Sequence, residues 1–236
     1  MKILRKERFV SVIVAAAGQG KRMNSEVNKQ YLNLGHKPVL AHTIEAFDKC
    51  FGIDEIIVVI HPDEVEYCKE NVINFFGFKK VSKVIAGGAE RQGSIFNGLK
   101  VVDKRCDLVV IHDGARPFIK EETILYSIDE AIKFEAIGVG VPVKDTIKVV
   151  DEEKNIKNTP DRKTLWAIQT PQIFDYKLVL KAHEKAIEDR YLGTDDTVLV
   201  ERLGKKVKIV MGSYDNIKIT TPEDLYIGEA ILKNRK

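Results

Sequence analysis

Apolar residues fall into short continuous runs separated by stretches of helical spacing. FVSVIVAA (9–16), DEIIVVI (54–60), DLVVIHD (107–113) and IGVGVPV (137–143) are runs of strand length, and VSKVIAGG (81–88) is another that ends in two glycines. Between them, PVLAHTIEAF (38–47), residues 63–75, RQGSIFNGLKVV (91–102) and residues 121–135 space apolar side chains as a helix does. Pro38 suits a first helical turn, and the acids Glu121 and Glu122 suit the positive end of the helix they open. Strands that are apolar throughout, alternating with helices, predict an α/β fold. The expected architecture is Rossmann-like and doubly wound, a mostly parallel sheet with helices on both faces.

The pattern breaks at TIKVVDEEKNIKNTPDR (146–162), which has a short strand, a very polar turn and a second short polar stretch. Periodicity fits two readings equally: a hairpin that leaves the body of the domain, or a plain surface loop. Beyond it the sequence predicts helices at 176–189 and Thr194–Leu203, a strand KVKIVMG (206–212), the segment NIKIT (216–220) and a last helix. Thr221-Pro222-Glu223-Asp224 opens that helix with a capping Thr, a Pro at the first position and two acids. With no repeat, low-complexity tract or linker, a single domain over 1–236 is expected.

Lys2, Arg5, Lys6 and Arg8 before the apolar run FVSVIVAAA (9–17) have the outline of a signal peptide. Glu7 interrupts the basic stretch and a glycine loop follows the run at once, so it reads as a buried strand feeding a loop. No apolar run approaches the ~20 residues that span a bilayer. The charge, 38 Lys+Arg against 35 Asp+Glu for a net +3, is too small for bulk nucleic-acid binding. A composition of 44% hydrophobic and 31% charged residues excludes disorder, collagen and coiled coil. Cys50, Cys68 and Cys106 fit neither a disulfide framework nor a zinc site, which points to a reducing cytoplasm.

Open parallel sheets bind ligands at the carboxyl ends of their strands. The first such loop is Ala16-Ala17-Gly18-Gln19-Gly20-Lys21-Arg22-Met23, with Lys29 a few residues on. Glycines let backbone N–H groups approach phosphate oxygens, so with three cations beside them a polyphosphate ligand is expected; a tight turn with solvated basic residues is the alternative. A dinucleotide fingerprint would need glycine where Met23 stands, and a Walker loop would need lysine where Ser94 stands in Gly88-Ala89-Glu90-Arg91-Gln92-Gly93-Ser94. The loop His112-Asp113-Gly114-Ala115-Arg116-Pro117 offers Asp113 for a magnesium ion or a hydroxyl, or merely to cap a turn, and Arg116 for an anion. The five histidines have no metal-ligand spacing and are expected on the surface or in the core.

Taken together, AAAGQGKRM, NKQYLNLGHKPVLAHTIEAF, AGGAERQGS, HDGARPF, VPVKDTIK, TPDR…LWAIQTPQIF, GTDD and NIKITTPEDL resemble the 2-C-methyl-D-erythritol 4-phosphate cytidylyltransferases of non-mevalonate isoprenoid synthesis. The resemblance runs from about residue 9 to the C-terminus, in the family's order. The ribitol-5-phosphate cytidylyltransferases share the first loop and NIKIT, but VPVKDTIK and TPDR…LWAIQTPQ are unlike them; transfer to ribitol 5-phosphate or another polyol phosphate is the alternative.

The resemblance implies that CTP and 2-C-methyl-D-erythritol 4-phosphate give CDP-methylerythritol and pyrophosphate. By match to its motifs, Arg22 and Lys29 stabilise the transition state, and Arg162 and Lys218 position the methylerythritol phosphate. Thr146, Asp113, Arg116, Thr170 and Thr194 match other substrate contacts; Ala16, Ala17, Gly88 and Ser94 match cytosine-recognising positions beside Gly18 and Gly20. Ala89 stands where some members carry Asp, and Asn28 where many carry Pro. The family also implies a homodimer in which 146–162 is a swapped arm, so that Thr146 and Arg162 serve the neighbour's site. Mg2+ is expected mainly on the CTP phosphates, near Asp113, with no dedicated protein metal site.

Overall fold

The apolar run that follows the basic N-terminal residues is a strand, β1 (Phe9–Ala16). The structure is a computed structural model that describes residues 7–18 and 28–235. A short hairpin follows, β2 (Asn33–Leu34) with β3 (Lys37–Pro38), then α1 (Val39–Asp48) and β4 (Glu55–Ile60). The next helical segment changes pitch twice: a 3₁₀ turn at Pro62–Glu64, α2 (Val65–Cys68) and a π-helical stretch at Lys69–Asn74. Then come β5 (Val81–Ala86), α3 (Arg91–Leu99), β6 (Cys106–Asp113), α4 (Glu121–Phe134) and β7 (Ala136–Pro142). The polar segment is a hairpin, β8 (Val149–Val150) paired antiparallel with β9 (Ile156–Asn158). The chain continues through β10 (Trp166–Asp175), α5 (Tyr176–Glu188), α6 (Asp196–Arg202), β11 (Lys208–Met211) and α7 (Pro222–Asn234).

Seven strands form one sheet in the order β11-β7-β10-β6-β1-β4-β5. Strands β6, β1, β4 and β5 run parallel, as do β7 and β11, while β10 lies antiparallel between β6 and β7. The helices lie on both faces, as the continuous apolar strands require. Alternation along β1 shows how. Val10, Val12 and Val14 face a core completed by Leu40, Ile44 and Phe47 of α1 and Ile124 and Ile128 of α4. Ile13 faces the opposite core, with Ile95 and Leu99 of α3, Val179 of α5 and Leu199 of α6. Val12, Ile13 and Val14 are fully buried, each worth about 1.5–3 kcal/mol.

The ten-residue strand β10 corrects the sequence reading, which predicts no strand between the hairpin and the helix at 176–189. Its centre is Gln169-Thr170-Pro171-Gln172, three polar side chains and a proline, which hides the strand signal. Gln169, Thr170 and Gln172 are buried because they hold neighbouring elements by hydrogen bonds rather than by apolar contact. The hairpin β2–β3 also escapes the sequence reading, being only two residues on each side. The last helix begins as predicted, with a capping box between Thr221 and Asp224 and Pro222 in its first turn.

Candidate active site

Chain order reverses across β1: β4 and β5 lie to one side of it and β6 to the other. The crevice at the carboxyl ends of β1 and β6 is therefore the topological switch point of the sheet. A cavity of about 300 Å³ opens there, lined by Ala16, Ala17, Gly18, Gly88, Ser94 and Asp113, among others. A second cavity of about 280 Å³ holds Arg116, Thr170 and Thr194. Arg91, Asp113 and Lys218 line both, so the two are halves of one cleft.

The glycine loop and the loop after β1, which both border the first half, pack closely through their backbones. Gly87 donates its N–H to Ile60 O at 2.7 Å, and a Cβ there would lie 2.5 Å from Ala17 Cβ and 2.8 Å from Ser94 Oγ. Only glycine lets the two loops approach this closely. Ser94, buried in the first turns of α3, accepts from Gly88 N and donates to Glu90 O, both at 3.0 Å. Its hydroxyl thus fixes the glycine loop.

Asp113 sits at the centre of the cleft, at the end of β6, with its backbone N–H held by Thr170 Oγ1 at 3.0 Å. Its carboxylate does not cap a turn. Lys218 Nζ lies 2.8 Å from Oδ2, Arg116 Nε 3.5 Å from the same oxygen and Arg91 Nε 3.4 Å from Oδ1. Burial alone would raise the Asp113 pKa, but Lys218, Arg91 and Arg116 outweigh it and hold the carboxyl well below the usual carboxylate range. Asp113 is ionised at neutral pH and organises three cations.

Lys218 reaches this point because NIKIT is pinned on either side of it. Asn216 donates to Thr170 O at 2.8 Å and to Gln169 Oε1 at 3.2 Å. Ile219 is fully buried and bonds Ala115 O at 2.8 Å. Arg116 is held by Asn216 O at 2.8 Å, and its own carbonyl accepts from His112 Nε2 at 3.1 Å. Burial pushes the His112 pKa down to about 4, so this histidine is a neutral core residue, one of the two places the sequence allows it.

Ala16, Ala17, Gly18, Gly88, Ser94, Asp113, Arg116, Thr170, Thr194 and Lys218 are thus brought together. Gly20 and Arg22 lie outside the described residues. The backbone of Lys29 opens a 3₁₀ turn. The residues flanking it, Asn28 and Gln30, both donate to the Glu64 carboxylate, Gln30 at 3.0 Å. Thr146 and Arg162 line neither cavity of their own chain. Both are exposed at the hairpin, where Arg162 Nη1 donates to Lys144 O at 2.8 Å.

Arg91, Asp196 and His183 were not singled out by sequence reasoning. Arg91 and Asp196 lie within two of the quoted motifs, AGGAERQGS and GTDD, but that signal named no role. Arg91 opens α3 and bonds Asp196 Oδ2 through Nη1 at 2.7 Å. Burial would raise the Asp196 pKa, and the Arg91 guanidinium overrides it, lowering it instead.

The family model for 2-C-methyl-D-erythritol 4-phosphate cytidylyltransferase matches residues 10–234. A protein of that name from Caldanaerobacter subterraneus is 56% identical over 224 residues, covering 95% of this chain and 99% of its own. The one from Clostridioides difficile is 53% identical over 226 residues, covering 96% and 94%. Among solved structures, the 4-diphosphocytidyl-2C-methyl-D-erythritol synthase of Anaerococcus prevotii superposes with a TM-score of 0.86 at 36% identity, covering 98% of this chain and 99% of that one.

Proposed function

The chain belongs to the 2-C-methyl-D-erythritol 4-phosphate cytidylyltransferase family, and we propose that its switch-point cleft transfers a cytidylyl group from CTP to 2-C-methyl-D-erythritol 4-phosphate. The observation that carries this reading is the cleft itself: a half bordered by the Ala16-Ala17-Gly18 and Gly88 backbone, suited to a base, joined at Asp113 to a half rich in cations.

The reaction makes one bond and breaks one. A phosphate oxygen of methylerythritol phosphate attacks the α-phosphorus of CTP, and pyrophosphate leaves with the electrons of the Pα–O bond. The attacking oxygen is already largely ionised at neutral pH, because a phosphate monoester has its second pKa at about 6. No general base is required, and His112 is engaged elsewhere. The chain's task is alignment and charge stabilisation.

Arg22 and Lys29 take the developing charge on the α-phosphate and the leaving pyrophosphate. Lys218 and Arg116 hold the acceptor phosphate, with Thr170 and Thr194 on the wall beside them. Because the Gly88 N–H is committed to Ser94, Gly88 meets cytosine through its carbonyl, which accepts from the 4-amino group. The Ala16-Ala17-Gly18 strand end forms the facing wall.

The donor set fits magnesium held mostly by substrate. Asp113 supplies an ionised carboxylate beside the phosphate positions. The ion, when bound, neutralises charge on the triphosphate.

The hairpin is read as a dimer arm. It exposes Val149, Val150 and Ile156, apolar side chains that a second copy would cover, and it carries Thr146 and Arg162 away from their own cleft. A cytoplasmic location is supported by Cys68 and Cys106, buried thiols in no disulfide; no helix of the described residues is long and apolar enough to cross a membrane.

Pyrophosphate release measured with four nucleoside triphosphates against methylerythritol phosphate and ribitol 5-phosphate tests the reading. Release with CTP and methylerythritol phosphate is expected to dominate. Equal turnover of ATP, or of ribitol 5-phosphate, overturns it.

A further inference from the structure

Behind the cleft wall lies a buried chain of charge. His183 in α5 is fully buried, with Nε2 3.1 Å from Asp196 Oδ1. An ionised carboxylate only accepts, so Nε2 carries the proton. Asp196, the first residue of α6, is 1% exposed and is held on every side. Its Oδ1 accepts from His183, its Oδ2 from Arg91 Nη1 at 2.7 Å, and its backbone N–H bonds Gln172 Oε1 at 3.1 Å. The His183 ring stacks nearly parallel on Phe96 of α3, at 6.2 Å and 8°, so the helix that carries Arg91 also sets the plane of the imidazole.

Arg91 differs from its partners in exposure. Its side chain is 31% exposed and lines both halves of the cleft, whereas Asp196 and His183 line neither. Asp113 alone does not fix Arg91, because it is shared with Lys218 and Arg116 and lies 3.4 Å away. The shorter bond is to Asp196. A long, flexible side chain pinned at one edge by a buried carboxylate presents its guanidinium without the entropy loss that a free arginine incurs on meeting a ligand.

We propose that Asp196 and His183 are positioning residues, acting through Arg91 to hold its guanidinium at the junction of the two cavities, where it meets the phosphates of the bound nucleotide. The inference rests on the cleft being the cytidylyl-transfer site. Asp196 supplies the counter-charge, and His183 satisfies the carboxylate oxygen that Arg91 does not reach. Neither touches substrate.

A double-mutant cycle tests this, because a merely structural role acts regardless of what stands at position 91. His183→Leu removes the donor, His183→Gln keeps an amide N–H, and Asp196→Asn keeps the shape and removes the charge. Each is combined with Arg91→Met, and rates are normalised to the folded fraction from near-ultraviolet circular dichroism. In the parent background, His183→Leu and Asp196→Asn are expected to lower kcat/KM for CTP about tenfold, the scale of coupling between residues in one network. His183→Gln should recover most of the loss. In the Arg91→Met background neither substitution should lower the rate further.

Equal losses in both backgrounds, parent-like kcat/KM in both variants, or His183→Gln as poor as His183→Leu would each overturn the inference. Should His183→Leu not fold, Asp196→Asn decides. Failure of the parent chain to transfer cytidylyl groups would instead defeat the reading of the cleft.

Discussion

Lys218 Nζ lies 2.8 Å from Asp113 Oδ2, joining a segment near the C-terminus to the end of a central strand. The carboxylate also holds Arg91 and Arg116, so it does not lose all compensation when the lysine is removed. Lys218→Met is therefore expected to leave the fold intact while removing a preorganised charge from the acceptor side of the cleft. Such losses typically cost ~10²–10³-fold in rate. Steady-state kinetics should show KM for methylerythritol phosphate rising and kcat falling, with a near-parent melting temperature. A variant with parent kinetics would remove Lys218 from its assigned role.

Stability should fall in mild acid, and His112 sets the window. Its pKa in the fold is about 4 against an ordinary 6.5, because burial disfavours the imidazolium. A base with a depressed folded pKa contributes stability that is fully present above 6.5 and lost progressively as pH falls toward 4. The full loss is about 3 kcal/mol at ~1.4 kcal/mol per pKa unit. Asp113, also depressed in the fold by its cations, adds a loss in the same sense below the ordinary carboxylate range. Urea midpoints should hold level from about pH 7.5 to 6.5 and decline from there to about 4.5; midpoints that stay flat between 6.5 and about 4.5 would contradict the burial of a neutral His112.

Gly87→Ala should damage nucleotide binding more than any neighbouring substitution to alanine in the loop. The added Cβ would stand 2.5 Å from Ala17 Cβ and 2.8 Å from Ser94 Oγ, so the glycine loop must move away from β1. Overpacking of this kind costs typically 1–3 kcal/mol. Calorimetric titration should show weaker CTP binding together with a lower melting temperature. Unchanged affinity would mean that the loop yields without disturbing the base pocket.

The core sheet was legible in the sequence because its parallel strands are continuous apolar runs, and Val12, Ile13 and Val14 have no polar competitor. Strand β10 was not, because its central residues are chosen for hydrogen bonding. Gln172 holds Asp195 Oδ2 at 2.9 Å and the Asp196 N–H, and Thr170 holds the Asp113 N–H. These are polar side chains inside a sheet, and periodicity treats them as surface. The site divided along the same line. Asp113, at the end of a strand, could be found by position, and Gly88 by its match to the family's motif. Arg91 could not be ranked, because its partners Asp196 and His183 lie far along the chain and meet it only through packing of α3, α5 and α6.

The arm makes the last prediction. If 146–162 crosses into a partner, each working site combines Lys29 of one copy with Arg162 of the other. Lys29→Ala and Arg162→Ala homodimers should then both be poor enzymes, since every site in each carries one lesion. A heterodimer of the two variants is different. One of its sites carries both lesions and the other carries neither, so co-refolding equal amounts should restore a substantial part of the parent rate. Random pairing makes half of the dimers heterodimers and gives each one intact site, so recovery near one quarter of the parent rate is expected for a two-fold dimer. The exposure of Arg162 and its bond to Lys144 O, away from its own cleft, motivate the test. A mixture shown by tagged pull-down to contain heterodimer, yet no faster than its parents, would place Arg162 in its own chain's chemistry or in none. A monomer by light scattering at assay concentration would reject the arm directly.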